Sequence, residues 1–195
     1  MRNPNRIATQ RRARDENKND TLLIYNSSNG STMQYAEWIS KALQCDVIDY
    51  SRSKLGYAAM YQNIIFGGWI RSGEITRFQL LRQNIVNFGI ENKNLFVFGV
   101  GIGDPTPRYV KQIKTINGCN FLPDERFYLF PGKFDPVKCK AADKITLKAM
   151  GPHLYDHFSE NEIKVMKERF NNGYNGVDFQ AVKPLISEIQ SLRGE

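Results

Sequence analysis

The segment from Thr21 to Leu43 constrains the fold most strongly, because it joins an apolar strand to a helix through a turn of small polar residues. Thr21–Asn26 has apolar residues for both faces, as in a strand inside a parallel sheet. Met33–Leu43 has the spacing of an amphipathic helix. A helix that begins at such a turn directs its unpaired N–H groups and the positive end of its dipole at the turn. The turn is therefore either a phosphate-binding turn or a set of helix caps, and these residues alone favour neither.

Six residues of this turn could contact a phosphate through hydroxyl, amide or backbone N–H groups: Ser27, Ser28, Asn29, Gly30, Ser31 and Thr32. The turn lacks the Gly-x-x-x-x-Gly-Lys spacing of a nucleoside-triphosphate loop. It also lacks the Gly-x-Gly-x-x-Gly spacing of a dinucleotide-binding turn. If the turn binds a phosphate, it does so outside these two motifs.

Strand-like and helix-like segments alternate along the rest of the chain. The predicted strands are Thr21–Asn26, Asp46–Asp49, Asn63–Phe66, Asn94–Val100 and Arg126–Phe130. The predicted helices are Met33–Leu43, Tyr57–Gln62, Phe78–Phe88, Arg108–Ile116 and Val182–Leu192. Because this alternation is typical of right-handed crossovers between parallel strands, we predict an α/β fold. Its core would be a doubly wound, five-stranded parallel sheet with helices on both faces.

Chemically unusual segments follow the third and fourth predicted strands. Gly67–Glu74 contains glycines and Trp69, and Gly99–Pro107 is also rich in glycine. Ligands of doubly wound sheets bind at the carboxyl ends of the strands, where these two segments and the polar turn are expected to meet. Glycines would let the backbone approach a flat ligand, and the indole ring could stack on it. Each loop alone also fits an ordinary turn or a core tryptophan, but the three together favour a planar heterocycle that carries one phosphate.

With these three segments the chain resembles the flavodoxin-like family, over about residues 21 to 192. Residues 27–32 are similar to the family's Ser/Thr-x-Thr-Gly-x-Thr loop, which holds the phosphate of FMN, although Asn29 replaces the usual Thr. Residues 68–73 resemble the corresponding segment of the protoporphyrinogen-oxidase-like, menaquinone-dependent branch. The resemblance therefore implies FMN as the cofactor and the flavodoxin-like version of the predicted fold.

The resemblance also implies roles for the residues of each segment. Those that would bind the FMN phosphate are Ser27, Ser28, Asn29, Gly30, Ser31 and Thr32. Trp69 would stack on the flavin ring. The residues whose backbone would meet the polar edge of the ring are Ile70, Arg71, Gly101, Ile102 and Gly103. Arg71 could instead pair with a substrate carboxylate or lie solvated in its loop.

The resemblance implies an FMN-dependent oxidoreductase that moves electrons between a small porphyrinogen- or quinone-like substrate and a second acceptor. An electron carrier to protein partners is one alternative, and a flavodoxin-fold binding module without the cofactor is another. Carrier flavodoxins are typically strongly acidic, whereas this chain has a net charge of +7 and a pI near 9.3. The basic charge therefore favours the oxidoreductase over the carrier.

Residues 1–20 form a polar, basic leader with few apolar residues, so we predict that it is disordered and that the domain covers residues 21–195. No apolar run reaches the roughly 20 residues of a membrane span. Three scattered cysteines are typical of a reducing compartment, so we expect a cytoplasmic protein. Its basic segments are candidates for peripheral contact with a membrane surface. Nucleic-acid binding is not expected, because no nucleic-acid motif accompanies the charge, and the oligomeric state stays open.

Two further features of the sequence are candidates for a metal site and a reactive thiol. His153 and His157 have the i, i+4 spacing of helical zinc ligands. No third histidine exists and no cysteine lies near them, so no metal site is predicted. Cys119 lies between a predicted helix and a predicted strand, away from the carboxyl edge, and is expected to be structural.

Overall fold

The computed structural model describes residues 20–50, 55–138 and 158–194. Its central sheet contains five parallel strands in the order β2-β1-β3-β5-β6. They are β1 (Thr21–Asn26), β2 (Asp46–Asp49), β3 (Asn63–Arg71), β5 (Asn94–Gly101) and β6 (Phe127–Pro131). The short strands are β4 (Glu74–Ile75), antiparallel to β3, and the antiparallel pair β7 (Lys133–Phe134) and β8 (Tyr174–Asn175). The predicted α/β fold with a five-stranded parallel sheet is confirmed.

Helices lie between and after the strands of this sheet in the described part of the chain. The α-helices are α1 (Ser31–Leu43), α2 (Phe78–Gln83), α3 (Pro107–Ile116), α4 (Glu160–Asn172) and α5 (Lys183–Arg193). Turns of 3-10 helix lie at Leu55–Met60, Asp124–Arg126 and Phe179–Val182. Helix α2 is shorter than the predicted Phe78–Phe88, and the helix predicted over 57–62 is a 3-10 turn that begins earlier.

Local sequence determines where several helices begin. Pro107 opens α3, where its missing N–H removes no helical hydrogen bond, and the Thr106 side chain accepts a hydrogen bond from the Tyr109 N–H. Ser159 caps α4 as half of a reciprocal capping box. Helix α1 differs, because Gly30 precedes it with a φ of 84° and no side chain caps it. The first N–H groups of α1 therefore remain available to a ligand.

Apolar side chains from alternate strand positions fill a core on each face of the sheet. On one face, Ile24, Phe66 and Val97 pack with residues of α2 and α3. On the other face, Leu23 and Phe96 pack with residues of α1 and α5. Helices therefore cover both faces, as predicted, and the loops from both faces meet at the carboxyl edge of the sheet.

The third strand is longer than predicted, because it does not end in Gly67-Gly68 as expected. Strand β3 continues through two glycines to Arg71 and then returns through Ser72 and Gly73 into β4. Both turn residues have positive φ, 55° and 84°, as in the two-residue turns that suit a twisted hairpin. The segment predicted as a loop is therefore largely a β-hairpin.

The two glycines lie inside β3 because neighbouring side chains occupy the space beside them. A Cβ atom on Gly67 would lie 2.0 Å from Cζ of Phe98. A Cβ atom on Gly68 would lie 2.7 Å from Cγ2 of Ile75. Packing across the sheet, rather than a change of direction, therefore explains this Gly-Gly pair.

A polar network closes the opposite, amino-terminal edge of the sheet. Arg193 of α5 donates hydrogen bonds to Oδ1 of Asp20 at 2.9 Å, to Oγ1 of Thr21 at 2.7 Å and to the Leu43 carbonyl at 2.9 Å. Asp20, which the sequence placed in the leader, is thus bonded into the domain. The predicted disordered leader, residues 1–20, is thus one residue too long, and its other residues, 1–19, lie outside the described residues.

A backbone hydrogen bond joins the residues on either side of the β7–β8 pair. The Gly176 N–H donates a hydrogen bond to the Gly132 carbonyl at 3.0 Å, just before the pair β7–β8 begins and just after it ends. The Phe134 ring of β7 stacks on Phe170 of α4, with ring centroids 4.8 Å apart. These contacts hold α4 against the β7–β8 pair.

The predictions on metal binding and on membrane spans concern residues that the structure describes only in part. His153 and His157 lie outside them. Within residues 20–50, 55–138 and 158–194, no three His, Cys, Asp or Glu side chains are grouped so that they could hold a metal ion. No helix in the same ranges is long and apolar enough to cross a membrane.

Candidate functional site

The three predicted binding segments lie side by side at the carboxyl edge of the sheet. Strands β1 and β3 are last paired at Asn26 and Gly68, and strands β3 and β5 at Trp69 and Val100. The polar turn after β1 and the loop after β5 therefore flank the end of β3. The parallel register brings together the segments that the sequence predicted to meet.

The polar turn is open to solvent where it meets the N-terminus of α1. Ser28 and Asn29 are exposed, and no atom lies within 4 Å of the position that a Cβ atom on Gly30 would take. The Gly30 N–H donates to Oγ of Ser27 at 3.1 Å, which stabilises the bend. Thr32 is 1% exposed at the second position of α1. An anion in this space would meet the uncapped N–H groups of α1.

Tyr35 anchors α1 one turn behind Ser31, which is itself buried at the first position of the helix. The Tyr35 hydroxyl donates to the Pro131 carbonyl at 2.6 Å and accepts a hydrogen bond from the Asp178 N–H at 3.0 Å. Burial raises the pKa of Tyr35 to about 12, so the phenol is neutral at physiological pH. The start of α1 is therefore held in a fixed position relative to β6.

Trp69–Arg71, the second predicted segment, is the end of β3 and not a free loop. Thr76 holds its backbone, because its N–H and its hydroxyl each donate to the Trp69 carbonyl at 3.0 Å. Trp69 and Arg71 are half-buried. None of the close aromatic ring pairs among the described residues includes Trp69, so the indole ring has no aromatic partner of its own.

The glycines of the third segment serve packing within the protein. A Cβ atom on Gly99 or Gly101 would lie 3.0 or 3.2 Å from Cδ1 of Ile70. A Cβ atom on Gly103 would lie 2.4 Å from Cζ of Tyr109. Protein side chains therefore occupy the space beside these glycines, and the close approach of their backbone to a flat ligand stays a prediction. A ligand at this edge would meet the backbone of the loop.

An arginine of α4, which the sequence did not indicate, holds the loop after β5. Nη1 of Arg169 donates to the Ile102 carbonyl at 2.7 Å, and Nη2 lies 2.6 Å from Oδ1 of Asp104. The guanidinium carbon lies 4.1 Å from the centroid of the Tyr174 ring. Since 67 residues separate Arg169 from Ile102, no local pattern could have predicted the contact.

Cys45 and Cys119 are expected to resist thiol reagents in the folded protein. Burial raises the pKa of both thiols to about 12, and the thiolate is the reactive form. In a Cys139→Ser variant at pH 8, reaction with an aromatic disulfide reagent should be at least about 50-fold slower than that of free cysteine, even after allowing for the higher nucleophilicity of a basic thiolate. Absorbance of the released thiol measures the rate. Labelling at the rate of free cysteine without denaturant would contradict this prediction.

Comparisons with known proteins gave a match to one family model and to solved structures. The sequence model of a family described as Flavodoxin domain matches residues 22–157. Curated proteins give no match. Among solved structures, a flavodoxin from the domain Archaea is 16% identical, with a TM-score of 0.41 over 70% of this chain and 96% of that chain. Oxidised Flavodoxin 1 from Bacillus cereus is 17% identical, with a TM-score of 0.37 over 71% and 99%. A Fusobacterium nucleatum flavodoxin bound to flavin mononucleotide is 13% identical, with a TM-score of 0.36 over 42% and 51%.

Proposed function

Because this chain belongs to the flavodoxin domain family, whose model covers residues 22–157, we propose that it binds FMN and transfers electrons through it. The open polar turn at the uncapped N-terminus of α1 is the observation that carries the proposal. Such a turn binds a phosphate without a basic side chain, because backbone N–H groups and the helix dipole supply the positive potential.

The residues of the turn fit the phosphate monoester of FMN. Ser28 and Asn29 are exposed beside the open space at Gly30. The Asn29 amide can donate a hydrogen bond where the family has a Thr hydroxyl. The Thr32 hydroxyl, at the second position of α1, supplies a further donor. The proposed phosphate ligands are Ser27, Ser28, Asn29, Gly30, Ser31 and Thr32.

The flavin ring is proposed to lie between the end of β3 and the loop after β5. Trp69 is half-buried there and has no aromatic partner among the described residues, which supports a stacking role. The backbone groups proposed for the polar edge of the ring are those of Ile70, Arg71, Gly101, Ile102 and Gly103. Bound FMN supplies the electron-accepting chemistry, and the protein orients it and limits its contact with water.

A small porphyrinogen- or quinone-like molecule is the proposed substrate, with a second acceptor to complete the turnover. Support comes from the resemblance of residues 68–73 to the menaquinone-dependent branch. Arg71 is the proposed partner for a substrate carboxylate, because a guanidinium pairs with a carboxylate through two hydrogen bonds. Peripheral contact with a membrane surface, where quinones are found, is part of the same proposal.

The distribution of charge favours an electron carrier as a second candidate function. The described residues contain sixteen Lys and Arg side chains and fifteen Asp and Glu side chains, so this part of the chain is nearly neutral. Most of the net charge of +7 therefore lies in the remaining residues. Because the described part of the chain is nearly neutral, the high pI is a weaker objection to the carrier.

Purified protein is expected to take up FMN, which an absorption spectrum and a fluorescence titration would show. Quenching of FMN fluorescence should saturate at one FMN per chain. A protein that stays colourless, and quenches no FMN after reconstitution, would leave the cofactor-less binding module as the remaining alternative. Anaerobic mixing of the reduced holoprotein with a water-soluble quinone separates the two redox functions, because only in the oxidoreductase should reduced FMN pass two electrons rapidly to the quinone, giving oxidised FMN and the quinol in a single turnover.

Thr32→Val is expected to weaken FMN binding about tenfold, because it removes a hydrogen bond to a charged phosphate while keeping the shape of the side chain. Fluorescence titration gives the dissociation constant. Thr115→Val is the matched control, since Thr115 is exposed on α3 and its hydroxyl bonds to the Lys111 carbonyl. Equal affinity of the Thr32 and Thr115 variants for FMN would argue against the proposed phosphate turn. Riboflavin, which lacks the phosphate, should bind both variants alike.

A further inference from the structure

The guanidinium of Arg169 binds the loop after β5 through two acceptors, a carbonyl and a carboxylate. Arg169 holds the Ile102 carbonyl through Nη1 at 2.7 Å and the Asp104 carboxylate through Nη2 at 2.6 Å. Its side chain is only 21% exposed, so the ion pair is partly shielded from water. A planar guanidinium with two engaged nitrogens fixes direction as well as distance.

This contact determines which way the peptide between Ile102 and Gly103 is oriented. The C=O and N–H of a trans peptide point in opposite directions. Because the Ile102 carbonyl points to Arg169 on α4, the Gly103 N–H points away from α4. No backbone group of the described residues accepts a hydrogen bond from it. The loop thus presents a free backbone donor at the carboxyl edge of the sheet.

Two further contacts support the loop and its anchor, so the orientation is built into the fold. The Tyr109 ring lies against Gly103, where a Cβ atom would be 2.4 Å from Cζ. The Arg169 guanidinium itself lies 4.1 Å from the centroid of the Tyr174 ring. A donor held in place before a charge develops stabilises that charge without reorganisation.

We propose that Arg169 is a positioning residue that directs the Gly103 N–H at the electron-rich edge of the flavin and neutralises Asp104 beside it. The inference rests on the proposed FMN function. Reduction adds negative charge to the flavin, which an N–H donor stabilises and an unpaired carboxylate destabilises. Loss of Arg169 therefore weakens the binding of reduced FMN more than that of oxidised FMN.

The test compares the affinities of both FMN redox forms in the holoprotein of four variants. In Arg169→Ala, the dissociation constant of reduced FMN should rise about tenfold more than that of oxidised FMN. This corresponds to a midpoint potential lower by about 30 mV for the two-electron couple. Lys164→Ala is the control on the same helix, since Lys164 is exposed. The ratio of its dissociation constants for reduced and oxidised FMN should stay within about twofold of the wild-type ratio.

Two conservative variants separate the parts of the inference. Asp104→Asn removes the ion pair but leaves the bond from Arg169 to the Ile102 carbonyl, so the reduced form should lose no affinity. Arg169→Lys keeps the charge but loses the two parallel N–H donors of the guanidinium. The ratio of its dissociation constants for reduced and oxidised FMN should therefore lie between those of wild type and Arg169→Ala. Both variants answer the question even if Arg169→Ala fails to fold.

Hydrogen exchange of the FMN-free protein gives a readout independent of the cofactor. Amides of residues 102–104 should exchange faster in Arg169→Ala than in wild type or Lys164→Ala, because the loop loses its anchor. An unchanged ratio of affinities in Arg169→Ala would overturn the inference and leave the proposed function standing. A wild-type protein that binds no FMN would overturn both.

Discussion

Gly67→Ala is expected to destabilise the protein by more than about 3 kcal/mol, at the upper end of what overpacking of a core produces. The added methyl group would lie 2.0 Å from Cζ of Phe98, which is the residue paired with Gly67 across β3 and β5. Phe98 is fully buried, and the Phe130 ring packs against it with centroids 5.1 Å apart. The ring therefore has no free space to move into, and either the sheet or the core must shift.

Urea unfolding followed by circular dichroism measures this loss against a control at another glycine. Gly56→Ala places its methyl group where no atom lies within 4 Å, so its stability should stay within about 0.5 kcal/mol of wild type. Combining Gly67→Ala with Phe98→Leu should recover part of the stability, because the shorter side chain makes room for the methyl group. A Gly67→Ala protein as stable as wild type would show that the two strands are not packed as described.

Arg193→Ala is expected to lower the free energy of unfolding by about 2 kcal/mol. The guanidinium joins α5 to Asp20, to Thr21 and to the Leu43 carbonyl, and its side chain is only 6% exposed. Removing it leaves the Leu43 carbonyl without this donor, while the Asp20 carboxylate keeps the hydrogen bonds from the Thr21 hydroxyl and the Asn63 amide. Because the Asp20 side chain is 40% exposed, water replaces part of the loss, so the effect stays below that of a fully buried ion pair.

Lys183→Ala is the control for this prediction, because Lys183 is exposed at the start of the same helix and should change stability little. Arg193→Lys should lose about half as much as Arg193→Ala, since one ammonium cannot reach three acceptors in different directions. Equal urea midpoints for Arg193→Ala and Lys183→Ala would contradict the structural role of the network.

Features that depend on neighbouring residues were predictable from the sequence. Thr21–Asn26 and Asp46–Asp49 are strands with the predicted bounds, because the apolar pattern and the polar residues that end it are local. The polar turn 27–32 could be placed at the start of a helix for the same reason. Its position next to the ends of β3 and β5 then follows from the parallel topology.

Features that depend on distant residues were not predictable. A Gly-Gly pair is an ordinary turn signal, and only the packing of Phe98 and Ile75 shows that the pair belongs inside β3. Likewise, nothing near Arg169 in the sequence indicates the carbonyl of Ile102 as its acceptor. In each case the deciding contact joins residues of different elements, and the hydrophobic periodicity of the sequence does not predict such a contact.

The bond between Gly132 and Gly176 brings together two distant points of the chain, and α4 lies between them in sequence. Ile163 and Met166 of α4 pack against the core on the α3 side of the sheet, and Arg169 of the same helix holds the loop after β5. One helix thus contributes both to the packing of a core and to the path of a loop at the carboxyl edge, so a substitution that shifts α4 would change stability and the candidate site together.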